Sequence, residues 1–167
     1  MHIETERKFL IEMPDIAMLK EKGCRVLHIT QTYLAIDNET GTESRVRKIT
    51  ENGETTYVFT EKKRITSMSR TENEYEITKA EYERLRAADD IRELTKIRYA
   101  LPHGEHTLEI DVYPHEIGGD GLDGKAILEV ELDAENETIP IPEYIKVIRE
   151  LTGTGEFSNK SMAKPVK

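Results

Sequence analysis

The stretch His2-Ile3-Glu4-Thr5-Glu6-Arg7-Lys8-Phe9-Leu10-Ile11-Glu12 sets a charged or ionisable side chain at every second position up to Lys8. Successive side chains of a strand point to opposite faces. As a strand it therefore carries His2, Glu4, Glu6 and Lys8 on one face and Ile3, Phe9 and Ile11 on the other. The same pattern recurs downstream. Alternation and β-branched or aromatic content predict strands over 2–12, 24–36, 42–50, 54–62, 69–78, 93–101, 105–113 and 125–133. Asn52-Gly53, between two of these segments, is a hairpin turn signal. Helices are expected over 14–22, 79–89 and 142–152. The first opens at Pro14-Asp15 and stops at Gly23. The second sets Tyr82 and Leu85 on one side of a charged segment. The third carries a broad stripe of Tyr144, Ile145, Val147, Ile148 and Leu151, suited to plugging a barrel end or packing in a homodimer.

The chain of 167 residues has room for one domain, read as 1–167. Charged residues are 34% of the chain and hydrophobic ones 37%, a polar balance, yet the ordered alternation argues against disorder. A net charge of −9 speaks against coating nucleic acid. The single cysteine, Cys24, excludes an internal disulfide or a Cys-rich zinc site. No apolar run reaches membrane-spanning length and no leader pattern opens the chain, so a cytoplasmic, membrane-free protein is expected. Gly118-Gly119-Asp120-Gly121-Leu122-Asp123-Gly124 lies between two strands and reads as a flexible connection, not a dinucleotide loop. His103, His106 and His115 fall near loop ends, with solvated or packing roles.

On one face of the strands stand Lys8, Arg45, Arg47, Lys62, Arg70, Lys96 and Arg98, together with Glu4, Glu6, Glu72, Glu74, Glu76, Glu109, Asp111, Glu129 and Glu131. Like charges recur two residues apart, and they repel unless the face is fully solvated or holds a highly charged ligand. Arg and Lys bind phosphate oxygens, whereas carboxylates bind hard divalent cations. A polyphosphate chelating metal ions answers both sets. Eight antiparallel strands can close into a barrel with these charges inside and helices packed outside. The fold class is α+β, mainly β: a closed eight-stranded antiparallel tunnel with a charged interior.

Glu4-Thr5-Glu6-Arg7-Lys8 resembles the N-terminal Glu-x-Glu-x-Lys signature of the CYTH, or triphosphate tunnel metalloenzyme, superfamily. Gln31-Thr32-Tyr33-Leu34, Arg45-Val46-Arg47, Thr60-Glu61-Lys62 and Arg70 with Glu74-Tyr75-Glu76 resemble its first half. Lys96-Ile97-Arg98, Glu109-Ile110-Asp111, Glu129-Val130-Glu131 and Phe157-Ser158-Asn159-Lys160-Ser161 resemble its second. The resemblance implies a tunnel that binds triphosphate substrates with one or two Mg²⁺ or Mn²⁺ ions. It implies Glu4, Glu6, Glu129 and Glu131 as metal ligands, with Asp111 and Glu109 at a second metal and either Glu74 or Glu76 as a further acidic position. It matches Lys8, Arg45, Arg47, Lys62, Lys96, Arg98 and the C-terminal Lys160 to substrate-binding cations, and Arg70 shares their face. Lys63 and Arg64 compete with Lys62 for its position.

The resemblance further implies hydrolysis of a phosphoanhydride by metal-activated water, without a nucleophilic side chain. Lys8 stands with the catalytic cations. Tyr33 and Lys62 are either a base pair acting on the water or, for Tyr33, a packing or hydrogen-bonding residue. The small-molecule substrate expected is inorganic tripolyphosphate, since no base-stacking aromatic is evident on the charged faces. The alternatives are a class IV type adenylate cyclase, a thiamine or nucleoside triphosphatase, and a non-catalytic polyphosphate-binding module.

Overall fold

The computed structural model describes residues 2–37, 39–139 and 141–166. Eight long strands are β1 (His2–Glu12), β2 (Arg25–Asp37), β3 (Thr42–Glu51), β4 (Glu54–Arg64), β5 (Ser69–Ile77), β6 (Arg92–His103), β7 (His106–Val112) and β8 (Lys125–Leu132). They pair antiparallel in the order β6-β2-β3-β4-β5-β1-β8-β7, and β7 pairs back with β6, which closes the barrel. Two short strands attach to it: β9 (Val147–Glu150) on β1 and β10 (Lys164–Pro165) on β6. The β3–β4 hairpin turns at Asn52 (φ 51°) and Gly53 (φ 79°), the pair of positive φ angles that a two-residue turn of matching twist needs.

Alternation divides each strand between two environments. Leu108, Ile110, Leu128, Val130 and Leu132 face outward, where Phe9, Ile11, Leu19 and Ile145 bury them. Each fully buried aliphatic side chain contributes about 1.5–3 kcal/mol. The helix α1 (Ile16–Glu21) carries Leu19 to this layer, and Asp15 caps it by accepting a hydrogen bond from the Met18 amide. The helix α2 (Lys79–Arg86), capped by Thr78, buries Tyr82 on the outer face of β3 and β4, against Tyr57. Both helices are shorter than expected but lie where the sequence places them.

The expected helix over 142–152 does not form. Ile145 closes a turn on Pro142, and Val147–Glu150 is the strand β9. The physical reason lies in β1. Its His2–Thr5 half pairs with β5, but beyond Thr5 that edge is left open, and β9 pairs with Phe9, Leu10 and Ile11 there. The adjacent β-branched Val147 and Ile148 suit a strand better than a helix. The Gly-rich connection joins β7 to β8, as expected, but winds through a short helix, α3 (His115–Gly118), and a 3₁₀ turn at Asp120–Leu122.

One end of the barrel interior is filled. Leu10 and Ile127 pack there with Leu122, Leu151 and Met162, and Tyr33 and Leu94 pack with Ala163. Much of this plug comes from the C-terminal segment, which includes the short helix α4 (Asn159–Met162). Thus the plug exists, but of the segment expected to supply it only Leu151 takes part, joined by Met162 and Ala163 beyond it. Among the described residues, no helix is long and apolar enough to cross a membrane.

Candidate active site

The plug leaves a cavity of about 440 Å³ in the barrel interior. Nine cations line it, Lys8, Arg45, Arg47, Lys62, Arg64, Arg70, Lys96, Arg98 and Lys160, and so do eight carboxylates, Glu4, Glu6, Glu43, Glu72, Glu74, Glu109, Glu129 and Glu131. Strand alternation explains the gathering: β1 turns Glu4, Glu6 and Lys8 inward, β3 turns Arg45 and Arg47, and β8 turns Glu129 and Glu131. On β4 it removes Lys63 from the competition, while Lys62 and Arg64 both line the cavity.

The carboxylates divide by their partners. Lys62 reaches Glu4 at 2.9 Å and Glu72 at 3.4 Å. Arg47 and Thr60 both donate to Glu74 Oε2, at 3.0 and 2.6 Å. Arg98 donates to Glu109 at 3.0 Å and to Glu129 at 3.3 Å. Glu6 and Glu131 stand opposite each other across β1 and β8, with Glu129 opposite Lys8. Burial, then the neighbouring Glu129 and Glu4 carboxylates, push Glu6 well above the usual carboxylate range. Burial also raises Glu109. Burial opposes the ionisation of Glu129, but Arg98, Lys96 and Lys8 together hold it below its ordinary value.

Asp111 differs from the expectation of a second metal ligand. It lies outside the cavity lining, fully buried, clamped by Arg98 at 2.7 and 2.9 Å and by Lys96 at 2.8 Å. Burial opposes its ionisation, and these two cations overcome that and hold it below the usual range. Its visible work is to anchor two cations. Glu76 also departs from the site: it is exposed at the end of β5, while Glu74 lines the cavity.

Tyr33 lines the cavity, and burial pushes its phenol up to about 12. It accepts a hydrogen bond from Gln31 at 2.6 Å, while Lys62 is committed to two carboxylates, so the two are not coupled to each other in the manner of a base pair. Lys96, fully buried in the same region, is pushed down to about 8 by burial, against the pull of Asp111.

Among the side chains that line this interior, several buried polar atoms lack a partner. The Nε atoms of Arg45, Arg47 and Arg70 and the Oε1 of Gln31 are buried and make no hydrogen bond. Buried guanidinium nitrogens without acceptors are costly. The guanidinium groups that carry these nitrogens line the cavity, where an anion would supply acceptors.

Sequence reasoning did not assign roles to Glu43, Glu72, Gln31 or Asn159, and it offered Arg64 only as a competitor of Lys62. Glu72 and Gln31 were visible in the charged face and in the Gln31–Leu34 motif. Glu43, two residues before Arg45, was open to the same alternation. Asn159 enters through the C-terminal segment, whose path no periodicity marks. His115 is solvent-exposed, as expected, with its Nδ1 2.9 Å from Asp123 and its Nε2 3.8 Å from Asp120. These three groups are exposed and lie outside the barrel cavity.

A second chamber of about 600 Å³ shares Arg47, Arg98, Glu109 and Glu131 with the first, and Leu27, Ile29, Ile49 and Ala100 form its aliphatic wall. The interior thus runs from a charged half to a partly apolar one.

No protein-family model and no curated protein matches the chain. Solved structures do. The PH1012 protein of Pyrococcus horikoshii OT3 superposes with a TM-score of 0.54 at 19% identity, over 80% of each chain. The PH1819 protein of the same organism gives 0.51 at 22% identity, over 84% of this chain and 80% of that one. A Vibrio parahaemolyticus protein described as a candidate adenylate cyclase gives 0.51 at 14% identity, over 80% of this chain and 79% of that one. At such identities the likeness is one of fold. The closed barrel is the fold that the resemblance to the triphosphate tunnel superfamily implied.

Proposed function

We propose that this chain is a member of the CYTH superfamily and a metal-dependent triphosphatase that cleaves inorganic tripolyphosphate to pyrophosphate and phosphate. The observation that carries the reading is the gathering of Arg45, Arg47 and Arg70, each with a buried Nε that lacks a partner, around a cavity walled by carboxylates. A plain anion binder gains nothing from Glu4, Glu6, Glu129 and Glu131. Their crowding, which drives Glu6 upward, is relieved by a cation, and an all-carboxylate set suits a hard one.

A Mg²⁺ or Mn²⁺ ion held by these four glutamates would neutralise phosphoryl oxygens and acidify the attacking water. The chain's own groups do the rest. Arg45, Arg47, Arg70 and Lys62 bind the phosphate oxygens, with Lys160 at the rim. The water oxygen bonds to a terminal phosphorus as the anhydride P–O bond breaks. Lys8, Lys96 and Arg98 offset the charge that moves to the departing pyrophosphate oxygen. Glu109, whose carboxylate burial raises, accepts a proton from the water. Tyr33, protonated at neutral pH, orients oxygens as a donor.

The second chamber favours a second reading, in which the same cations hold an organic triphosphate whose substituent lies along Leu27, Ile29, Ile49 and Ala100. Nucleoside or thiamine triphosphate hydrolysis and the cyclase reaction belong here. Phosphate and pyrophosphate release from tripolyphosphate, ATP and thiamine triphosphate, with Mg²⁺, Mn²⁺ or EDTA, separates the readings. Metal-dependent phosphate release fastest from tripolyphosphate is expected. Preference for ATP or thiamine triphosphate moves the assignment to the second reading, with a cyclic product marking the cyclase. Binding of tripolyphosphate without turnover of any of the three leaves an anion-binding module.

A further inference from the structure

The C-terminal segment brings two acceptors to two ammonium groups of the cavity. The Phe157 carbonyl oxygen accepts from Lys8 Nζ at 3.1 Å, and Asn159 Oδ1 accepts from Lys96 Nζ at 3.3 Å. Asn159 Oδ1 is held in turn by the Tyr113 hydroxyl, which donates to it at 2.6 Å. Phe157 sits at φ 54°, a left-handed conformation that a bulky residue rarely adopts, and such strain gathers where the surrounding structure needs it. Its ring is seated against Gly121, where an added Cβ would lie 3.1 Å from it. The Gly-rich connection therefore serves as the seat of this segment.

An ammonium group has three donors in fixed tetrahedral relation. Two of those on Lys96 go to Asp111 Oδ2 and Asn159 Oδ1, which sets the direction of the third. Lys96 lines the cavity, so that third donor is the one available to an anion. We infer that Asn159, held by Tyr113, is a positioning residue that aims the Lys96 ammonium at the phosphate chain, with the Phe157 carbonyl doing the same for Lys8. The inference rests on the triphosphate reading of the cavity. Asn159 acts through Lys96.

The test compares wild type, Asn159→Ala, Tyr113→Phe and the double variant by steady-state kinetics on tripolyphosphate, by calorimetric binding of tripolyphosphate in EDTA and by melting temperature. Loss of one hydrogen bond to a charged group is expected to raise KM and weaken binding about ten-fold in Asn159→Ala, and by about three-fold in Tyr113→Phe. The value of kcat falls as well, by about three-fold or more, because the Lys96 ammonium also offsets the charge on the departing oxygen. The double variant is no worse than Asn159→Ala alone, because Tyr113 works through Asn159. An unchanged KM in both single variants, additive losses, or an effect confined to melting temperature overturns the inference. Should Asn159→Ala not fold, an unchanged KM in Tyr113→Phe overturns it. A wild-type protein that neither binds nor cleaves tripolyphosphate overturns the function reading first, and the inference falls with it.

Discussion

Arg98 grips Asp111 through two parallel hydrogen bonds, Nε to Oδ1 at 2.7 Å and Nη2 to Oδ2 at 2.9 Å, around a carboxylate with no solvent exposure. Lys96 adds a third at 2.8 Å. Arg98 also reaches Glu109 at 3.0 Å and Glu129 at 3.3 Å, so these carboxylates hold the two cations in place at the cavity wall. The proposed anion meets fixed cations there although the chain as a whole carries −9. Local geometry decides the ligand here, and net charge does not.

Asp111→Ala strips the shared partner from two buried cations. Uncompensated buried charge costs about 3–5 kcal/mol, so denaturant unfolding should show a loss of that order. An unfolding free energy equal to that of wild type would show that water or another carboxylate already serves Lys96 and Arg98.

Glu4 sets an acid limb. Burial opposes its ionisation, but the charge and hydrogen bond of Lys62 outweigh it and hold the group down to about 2, from an ordinary 4.5. A folded value below the unfolded one contributes stability that is complete above the unfolded value and lost as pH falls toward the folded one. The stability gap between wild type and Glu4→Gln should therefore be constant above about pH 5 and narrow between about pH 4.5 and 2. A gap that does not change with pH would remove Lys62 as its cause.

Glu6 carries the opposite sign. Burial and its carboxylate neighbours raise it well above 4.5, so its share of stability is present below that value and lost as pH rises toward the folded value. Glu6→Gln should stabilise the metal-free protein at neutral pH and abolish the rise in melting temperature that Mg²⁺ or Mn²⁺ gives wild type. A variant that is less stable in EDTA, or that keeps the metal response, contradicts the assignment of Glu6 to a cation site.

The fold was legible where strands declare themselves by alternation. Glu4, Glu6 and Lys8 announced the face of β1 that the barrel turns inward, and Asn52-Gly53 announced its hairpin. Helix and strand share short apolar runs, however, and Ile145, Val147, Ile148 and Leu151 fit a helical stripe as well as a strand. What decided the outcome was the open edge of β1 beyond Thr5, a tertiary fact that no local window contains. The site was legible by charge type but not by partner. Asp111 and Glu109 look alike two residues apart, yet one is sealed between Lys96 and Arg98 and the other lines the cavity. Of the C-terminal plug, Leu151 was legible in the apolar stripe, whereas Phe157 and Met162 stayed hidden because they are spread among Gly, Thr and Ser without a period.

Arg47 is 9% exposed, and burial, then the neighbouring Arg45, lower it to about 10, so it is charged at neutral pH with an unpartnered Nε. Arg47→Ala removes charge-assisted bonds to the phosphate chain and should raise KM for tripolyphosphate by about ten-fold or more. Steady-state kinetics decide it, and an unchanged KM would mean that the anion sits elsewhere.

Glu74 and Glu76 share a face of β5 and are equivalent on sequence grounds, but the barrel treats them differently. Glu74 accepts from Thr60 and Arg47, and although burial pushes it upward, these partners hold it below its ordinary value. Glu76 is exposed beyond the cavity lining. Glu74→Gln weakens the compensation of a nearly buried guanidinium and should cost about 1–3 kcal/mol in denaturant unfolding. Glu76→Gln changes an exposed residue and should stay within about 0.5 kcal/mol of wild type. Equal losses from the two would mean that the contacts of Glu74 with Thr60 and Arg47 do not set its contribution.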